Sequence, residues 1–416
     1  MINVAILGYG VVGSGVAEVL RKNAAGIKRR SEKEIKLKRI LDIREFPDSP
    51  ERDLFTKNPD DIFEDDSIKI VVETIGGTRN AYQLVKEAIK KGKHVVTSNK
   101  ELVAAYGSEI LKLAWENNVN FLFEASVGGG IPIIRPLSAC LAANEIMGIT
   151  GILNGTTNYI LTQMKEEGKD FATALYNAKK KGYAEADPTN DIEGFDTSRK
   201  IAILSSIAYN EYVNSENIHT EGITGISFRD MQYAEVCDRV IKLAGVSKKI
   251  DDKIYVIVSP FLINKSNALA NVEDVFNAIV VKGNVVGEVM FYGKGAGKLP
   301  TASAVVADII DIVKNERTYG KNISTVNDDN NLINYKEASS RFFTRLKVSD
   351  VENARQIVKN IFGDVHWVCL NESSTIDELA FITPLKSEKL IEADFGKLCE
   401  NSSIVAVESS IRLLEE

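Results

Sequence analysis

Residues 178–200, AKKKGYAEADPTNDIEGFDTSRK, gather the side chains best suited to chemistry. Glu185, Asp187, Asp191, Glu193 and Asp196 crowd into a short run broken by Gly182, Pro188 and Gly194, and Lys200 follows. Carboxylates can bind a cationic group or orient a base, and a lysine can exchange a proton with a reacting oxygen. The run is too polar for a core and too rich in turn formers for a regular element. Asp196 and Lys200 are spaced i,i+4, which puts both on one face of a helix. Such a pair is equally a surface salt bridge, and an acidic run is equally a solvated loop. The apolar helix that follows, IAILSSIAY at 201–209, anchors the run to something buried.

The elements that must position these groups start at the N-terminus. Residues 2–7, INVAIL, read as a buried parallel strand, and VAEVLRKNA has helical periodicity. Between them stand Gly8, Gly10 and Gly13 in G-x-G-x-x-G spacing, with Tyr9, Val11 and Val12 interleaved. In this strand–turn–helix context the spacing predicts a dinucleotide site. The first glycine makes the tight turn, the second lets the backbone approach a pyrophosphate, and the third allows close helix–strand packing. The next strand ends at Leu41, and Asp42 after it would bind the adenosine ribose and favour NAD. Arg39 and Arg44 flank that acid and could take a 2′-phosphate, so NAD and NADP both stay open. The insertion at 27–33 lengthens the usual spacing, and the basic segment 27–39 reads as a surface loop and an edge strand.

Further strand–helix units repeat. Residues 68–77 place Thr74 and Ile75 at the ligand-facing end of a strand, and 93–100 place Lys100 at the end of another. Lys100 is equally the start of an amphipathic helix. Residues 119–134 add a strand, a triple glycine and a proline. The pattern is α/β, a doubly wound parallel sheet. After Pro132 it changes to a helix at 134–144, a strand, a turn at Asn154–Gly155, and a helix capped by Thr156 or Thr157. Strands at 253–263, 278–283 and 284–293, then a glycine-rich turn and an apolar helix, predict an α+β domain whose last helix returns to the first domain. A polar linker covers 315–337, least structured at 327–331. The order β-α-β-β-α-β over the last segment is ferredoxin-like. The expected domains are 1–131, 132–320 and 338–416.

With 44% hydrophobic and 26% charged residues over 416, the chain has ample core. A net charge of −7 gives no general reason to bind nucleic acid or an anionic membrane. Cys140, Cys237, Cys369 and Cys399 form no metal-ligand spacing with the scattered histidines, and Cys140 in ACLAA reads as a small buried hydrophobe. No signal peptide and no membrane-length apolar window are evident, so a cytoplasmic protein is expected.

These residues together make the chain resemble homoserine dehydrogenase. The family motif A-x3-G-Y-x-E-x-D-P-x2-D-[aliphatic]-x-G-x-D-x3-K is met by Ala178, Gly182, Tyr183, Glu185, Asp187, Pro188, Asp191, Ile192, Gly194, Asp196 and Lys200. LGYGVVGSGV, the SNK at 98–100, EASVGGGIPII and LNGTTNYIL are similar to family blocks, and the resemblance covers about residues 1–320. It implies NAD(P)-dependent interconversion of L-homoserine and L-aspartate 4-semialdehyde, on the route to threonine, isoleucine and methionine. Lys200 would then be the proton donor in reduction and acceptor in oxidation, with Asp196 orienting it. A lysine suits this work when a second cation makes it a weaker base, and Lys100 is the second candidate. Glu185 would meet the substrate ammonium and Asp191 would orient the lysines. Gly182, Gly297 and Lys100 join the glycine turn, Asp42, Arg44, Thr74 and Ile75 as expected cofactor contacts. The resemblance also implies a monovalent cation, Na+ or K+, held mostly by backbone carbonyls of Glu124, Val127, Gly129 and Ile131. The alternative for that stretch is a glycine-rich hinge.

The C-terminal segment resembles the ACT domain, a regulatory amino-acid-binding module. It departs where an Asp-x-Pro-Gly turn is usual, having Asp350, Val351, Glu352 and Asn353 instead. An amino-acid effector of this ACT-like segment is therefore expected to bind elsewhere than at that turn or not at all, and the sheet could serve dimerisation alone. The family implies a homodimer or homotetramer. A fused aspartate kinase domain is not expected. Two rivals fit less well. A phosphorylating aldehyde dehydrogenase needs a cysteine nucleophile with a histidine base, and neither is marked. A non-catalytic amino-acid sensor has no need of two lysines at the site.

Overall fold

The computed structural model describes residues 1–315, 331–370 and 377–415. Most of the expected linker, including nearly all of 327–331, lies outside them. The chain forms two compact units: Met1–Met147 with Arg199–Asn217 and Val281–Asp329, and Gly148–Ser198 with Ile218–Val280 and Asn330–Glu416.

The first unit is built on a six-stranded sheet in the order Phe55–Thr56, Ile35–Leu41, Ile2–Leu7, Ile68–Glu73, His94–Thr97 and Phe121–Leu122, every pair parallel. This is the strand order 3-2-1-4-5-6 of a dinucleotide-binding fold, with its switch point beside the first strand. Val4, Ala5, Ile6 and Leu7 are fully buried, as a strand covered on both faces requires. The helix Lys298–Lys314 packs on the helix Val11–Lys22. Close approach there depends on Gly15, where a Cβ would stand 2.7 Å from the Lys298 carbonyl oxygen. Val16, Leu20, Val305 and Ile309 fill the interface, each such side chain contributing roughly 1.5–3 kcal/mol by burial.

Four local expectations fail here. Residues 27–33 are not a loop: Ala24–Ser31 is helical and stops at Glu32, with φ 59°. Ile35–Leu41 is not an edge strand either, because Phe55–Thr56 pairs outside it. The helix expected at 134–144 reduces to a five-residue π-helical turn, Pro136–Cys140. Proline supplies no N–H to a preceding turn, and Glu124 takes the amides just before it. Cys140 is exposed, not buried.

The sheet of the second unit runs Phe276–Gly283, Ile146–Ile152, Arg239–Ile250, Lys253–Asn264, Ile404–Leu413, Phe342–Val348, Glu378–Ile382 and His366–Val368. Its spine is a hairpin of two twelve-residue strands, Arg239–Ile250 and Lys253–Asn264, turning at Asp251 with φ 53°. Positive φ is what a two-residue hairpin loop demands. The last segment has the expected strand–helix–strand–strand–helix–strand order. Its strands stand fourth, first, third, second across an antiparallel sheet. Val351–Phe362 and Glu388–Cys399 cover it, with Leu346, Val358, Phe381, Ile391 and Leu398 between. The segment is not free-standing: Ile404–Leu413 pairs in parallel with Lys253–Asn264 through Phe261–Arg412 and Leu262–Leu413. The two compact units thus cut the chain differently from three successive domains.

Candidate active site

The glycine turn has the geometry its spacing predicts. Gly8 sits at φ 93°, a conformation L side chains rarely adopt, and a Cβ there would stand 3.0 Å from the Thr74 carbonyl oxygen. A Cβ on Gly13 would stand 2.0 Å from the Gly8 carbonyl oxygen. At Gly10 nothing lies within 4 Å of that position, so this glycine answers to no contact inside the fold. The residues present therefore fit a dinucleotide: two glycines are demanded by packing, and the third leaves its backbone open to a ligand at a helix N-terminus. Tyr9, Val11 and Val12 lie on the same turn, and Val11 is 67% exposed.

Asp42 follows strand Ile35–Leu41 and is already engaged. Its carboxylate accepts from the Tyr9 amide at 2.7 Å, the Arg44 amide at 2.9 Å, and Arg44 Nε and Nη2 at 3.0 and 2.8 Å. The Arg44 guanidinium above all, with those amides, holds the acid far below the usual carboxylate range despite its burial. Asp42, Arg44, Phe46, Arg52, Phe55 and Lys57 are among the residues lining a cleft of about 300 Å³. A carboxylate engaged by Arg44 and three cationic side chains thus share one recess.

Thr74 and Ile75 do lie past the end of strand Ile68–Glu73, and their placement depends on Glu73, which sequence reading missed. This carboxylate is fully buried, and burial raises its pKa. It accepts from the Thr97 hydroxyl at 2.5 Å and the Ile75 amide at 2.8 Å. Asn99 continues the link, donating to the Gly77 carbonyl at 2.6 Å and capping the next helix through the Leu102 amide at 3.0 Å. Lys100 is the first residue of that helix, Lys100–Glu116, and is half-buried. One buried acid thereby joins the loop carrying Thr74 and Ile75 to the one carrying Lys100.

In residues 124–131, Gly128 and Gly129 have φ 73° and 54°, and a Cβ on Gly129 would stand 2.4 Å from the Gly295 carbonyl oxygen. Both Glu124 side-chain oxygens are used, accepting from the amides of Ile133, Ile134 and Arg135 at 2.6, 2.9 and 2.8 Å. The Glu124 amide donates to Asp308, a buried acid paired with Arg135 and pushed up to about 7 by burial. Among the described residues no group of three or more His, Cys, Asp or Glu could hold a metal ion. The glycine backbone of this loop is pressed against the backbone at Gly295. Val127 and Ile131 are buried in it. Gly297 caps the helix Lys298–Lys314 at φ 123°.

In the second unit, Phe171–Lys180 is helical, Gly182 follows at φ 75°, and Thr189–Ile192 is a single turn. Glu185 is exposed. The buried Asn154 organises the stretch: its amide donates to Asp191 at 2.7 Å and Asp196 at 2.8 Å, while its oxygen caps the helix Gly155–Glu167 through Thr157. The cap is Asn154, not Thr156 or Thr157. Thr156 instead donates to the Tyr183 carbonyl at 2.6 Å, and Lys179 to that of Ala186 at 3.0 Å. Asp196 and Lys200 lie on the helix Phe195–Tyr209 and are 3% and 8% exposed. A solvated acidic loop is excluded for its second half.

Comparison with known proteins gives the family. The family model "Homoserine dehydrogenase, NAD binding domain" matches residues 8–124, and "Homoserine dehydrogenase" matches 132–310. The homoserine dehydrogenase of Neisseria gonorrhoeae is 48% identical over 319 residues, covering 75% of this chain and 72% of that one. That of Bacillus subtilis is 35% identical over 422 residues, covering 99% and 97%. Among solved structures, a homoserine dehydrogenase from Thiobacillus denitrificans superposes with a TM-score of 0.90 at 36% identity, covering 100% of this chain and 98% of that one. A hyperthermophilic archaeal homoserine dehydrogenase in complex with NADPH gives 0.63 at 30% identity, over 74% and 97%. The chain belongs to the homoserine dehydrogenase family, NAD(P)-dependent oxidoreductases.

Proposed function

We propose that the chain interconverts L-homoserine and L-aspartate 4-semialdehyde with Lys200 moving the proton. The glycine turn with Thr74, Ile75, Lys100, Gly182 and Gly297 would hold NAD(P), which when bound would supply or accept the hydride. Lys200 takes the hydroxyl proton as the alcohol is oxidised and returns it on reduction. Asp196 orients that lysine, and Asp191 is held beside it by the shared Asn154 amide. Lys100 places a second ammonium at the substrate. Glu185 binds the substrate's own ammonium, which needs an anionic partner. The observation that carries the reading is Asn154, which gathers two carboxylates at the head of the helix bearing Lys200.

A Na+ or K+ ion on the carbonyls of Glu124, Val127, Gly129 and Ile131 would stiffen the loop entering that region. The pathway is threonine, isoleucine and methionine biosynthesis in the cytoplasm. Assembly as a homodimer or homotetramer is supported by the exposed apolar residues Val285, Val286, Met290 and Tyr292. The C-terminal segment is ACT-like, but Asp350 at its departed turn is used as a helix cap on Asn353. An effector there would have to displace that cap.

The test is L-homoserine-dependent reduction of NAD+ and NADP+ by the purified chain. Activity with both is expected, because Asp42 accepts ribose hydroxyls and Arg44 can turn to a 2′-phosphate. Asp42→Ala frees Arg44 and should raise the NADP+-to-NAD+ ratio of kcat/KM about tenfold, a change of about 1.4 kcal/mol. No turnover with homoserine on either cofactor would overturn the function. An unchanged ratio would remove Asp42 from cofactor choice.

A further inference from the structure

We propose that Arg412 and Glu221 are positioning residues for the acidic stretch, so that the C-terminal strand braces the substrate side of the reaction. The inference rests on the reading that residues 185–200 meet the substrate. Arg412 lies near the end of Ile404–Leu413 and is 4% exposed. Its guanidinium divides between two acids. Nε and Nη2 donate to Glu388 at 2.8 and 2.7 Å, and Nη1 donates to Glu221 at 2.5 Å and Ser259 at 2.9 Å. The other Glu221 oxygen meets His219 Nε2 at 2.7 Å, and the His219 ring stacks on Tyr335 with centroids 3.6 Å apart. Three contacts thus fix the Glu221 carboxylate, from Arg412, from His219 and from the Ser259 hydroxyl at 2.9 Å, and the first of them comes from the C-terminal segment.

The backbone on either side of Glu221 is in turn pressed against the acidic stretch. A Cβ on Gly222 would stand 2.3 Å from the Ile192 carbonyl oxygen and 2.7 Å from Glu193 Cα. The Ile223 amide donates to that same Ile192 carbonyl at 2.8 Å. Gly194, at φ 84°, has Thr220 Cγ2 at 3.0 Å and the Glu221 carbonyl oxygen at 3.3 Å from its Cβ position. Asp196 is two residues further on. Neither packed glycine leaves slack, so a shift of the 220–223 backbone moves 192–194 with it. Reactive groups misplaced by about 1 Å can cost on the order of 10²-fold in rate. Removing the Arg412 guanidinium leaves the buried Glu388 and the partly exposed Glu221 without their shared counter-charge, and the two acids then move apart or take on water.

A second buried arginine provides the control. Arg345 bridges Asp230 at 3.0 Å and Glu378 at 3.1 Å, and so fastens the same C-terminal sheet to the helix Phe228–Val236. Its partners do not include residues 185–198. Full-length Arg412→Met, Glu221→Gln and Arg345→Met are compared for Tm, NADPH affinity, steady-state kinetics and backbone amide exchange at 189–198. Arg412→Met and Glu221→Gln are expected to lower kcat/KM for L-homoserine about tenfold or more, with NADPH affinity within about twofold and faster exchange at 189–198. Arg345→Met is expected to lose Tm yet keep its homoserine kinetics. Equal Tm losses with homoserine kinetics and exchange at 189–198 unchanged would overturn the proposal. If Arg412→Met does not fold, Glu221→Gln, which keeps the side-chain shape, decides alone. The exchange measurement separates the two readings. Faster exchange with unaltered kinetics would mean that the brace exists and the stretch does not serve the substrate.

Discussion

Lys200→Ala should cut kcat for homoserine oxidation by about 10²–10⁴-fold, the usual worth of a positioned acid–base group. NADPH affinity should stay within about twofold, because the glycine turn, Asp42 and Arg44 lie on other elements and act on the cofactor through their own contacts. Folding should survive. Position 200 is inside the helix Phe195–Tyr209, where alanine is the best helix former. Lys200→Arg should fail to restore the rate, since a guanidinium keeps the charge but does not release its proton at working pH. Stopped-flow and steady-state assays, equilibrium NADPH binding and thermal unfolding on both variants would check all four statements. Unchanged turnover in Lys200→Ala would move the proton transfer to another group, with Lys100 the first to be tested by the same substitution.

The second large effect separates two glycines of one motif. Gly13→Val would drive a Cβ to within 2.0 Å of the Gly8 carbonyl oxygen and 2.8 Å of Thr74 Oγ1. Backbone cannot yield that far, so a loss of about 3 kcal/mol or more in stability is expected together with loss of cofactor binding. In Gly10→Val the added Cβ meets no atom within 4 Å. It should leave stability within about 1 kcal/mol while weakening NAD(P)H binding at least about tenfold, because its side chain would occupy the pyrophosphate's approach. Thermal unfolding and fluorescence titration distinguish the pair. Equal destabilisation by both would mean that the openness at Gly10 has no functional meaning.

The dinucleotide half was legible because each of its signals is local. A strand, three glycines and a helix lie within one stretch, and the strand order follows from repeated strand–helix units. The partners of Asn154 stand 37 and 42 residues away, so its side chain read only as a turn former. Glu73 was hidden for a different reason. An acid at the end of an apolar strand carries no spacing signal, and its value depends on Thr97 and the 75–76 amides converging on it. Strand Arg239–Ile250 escaped because Lys242 interrupts its apolar run. That lysine is 2% exposed, donates to Asn158 at 3.1 Å and the Val272 carbonyl at 2.5 Å, and is drawn down to about 8 by burial. The continuity of the C-terminal sheet with Lys253–Asn264 was illegible for the same kind of reason: two residue pairs and a buried arginine make the join, and none leaves a periodic trace.

The reaction itself can be tested in one measurement. L-Aspartate 4-semialdehyde is incubated with the protein and NADPH dideuterated at the nicotinamide C4, and the product is examined by mass spectrometry. Direct transfer predicts homoserine carrying a single deuterium at C4, with the other retained in the oxidised cofactor. Unlabelled homoserine, or no homoserine at all, would contradict the account.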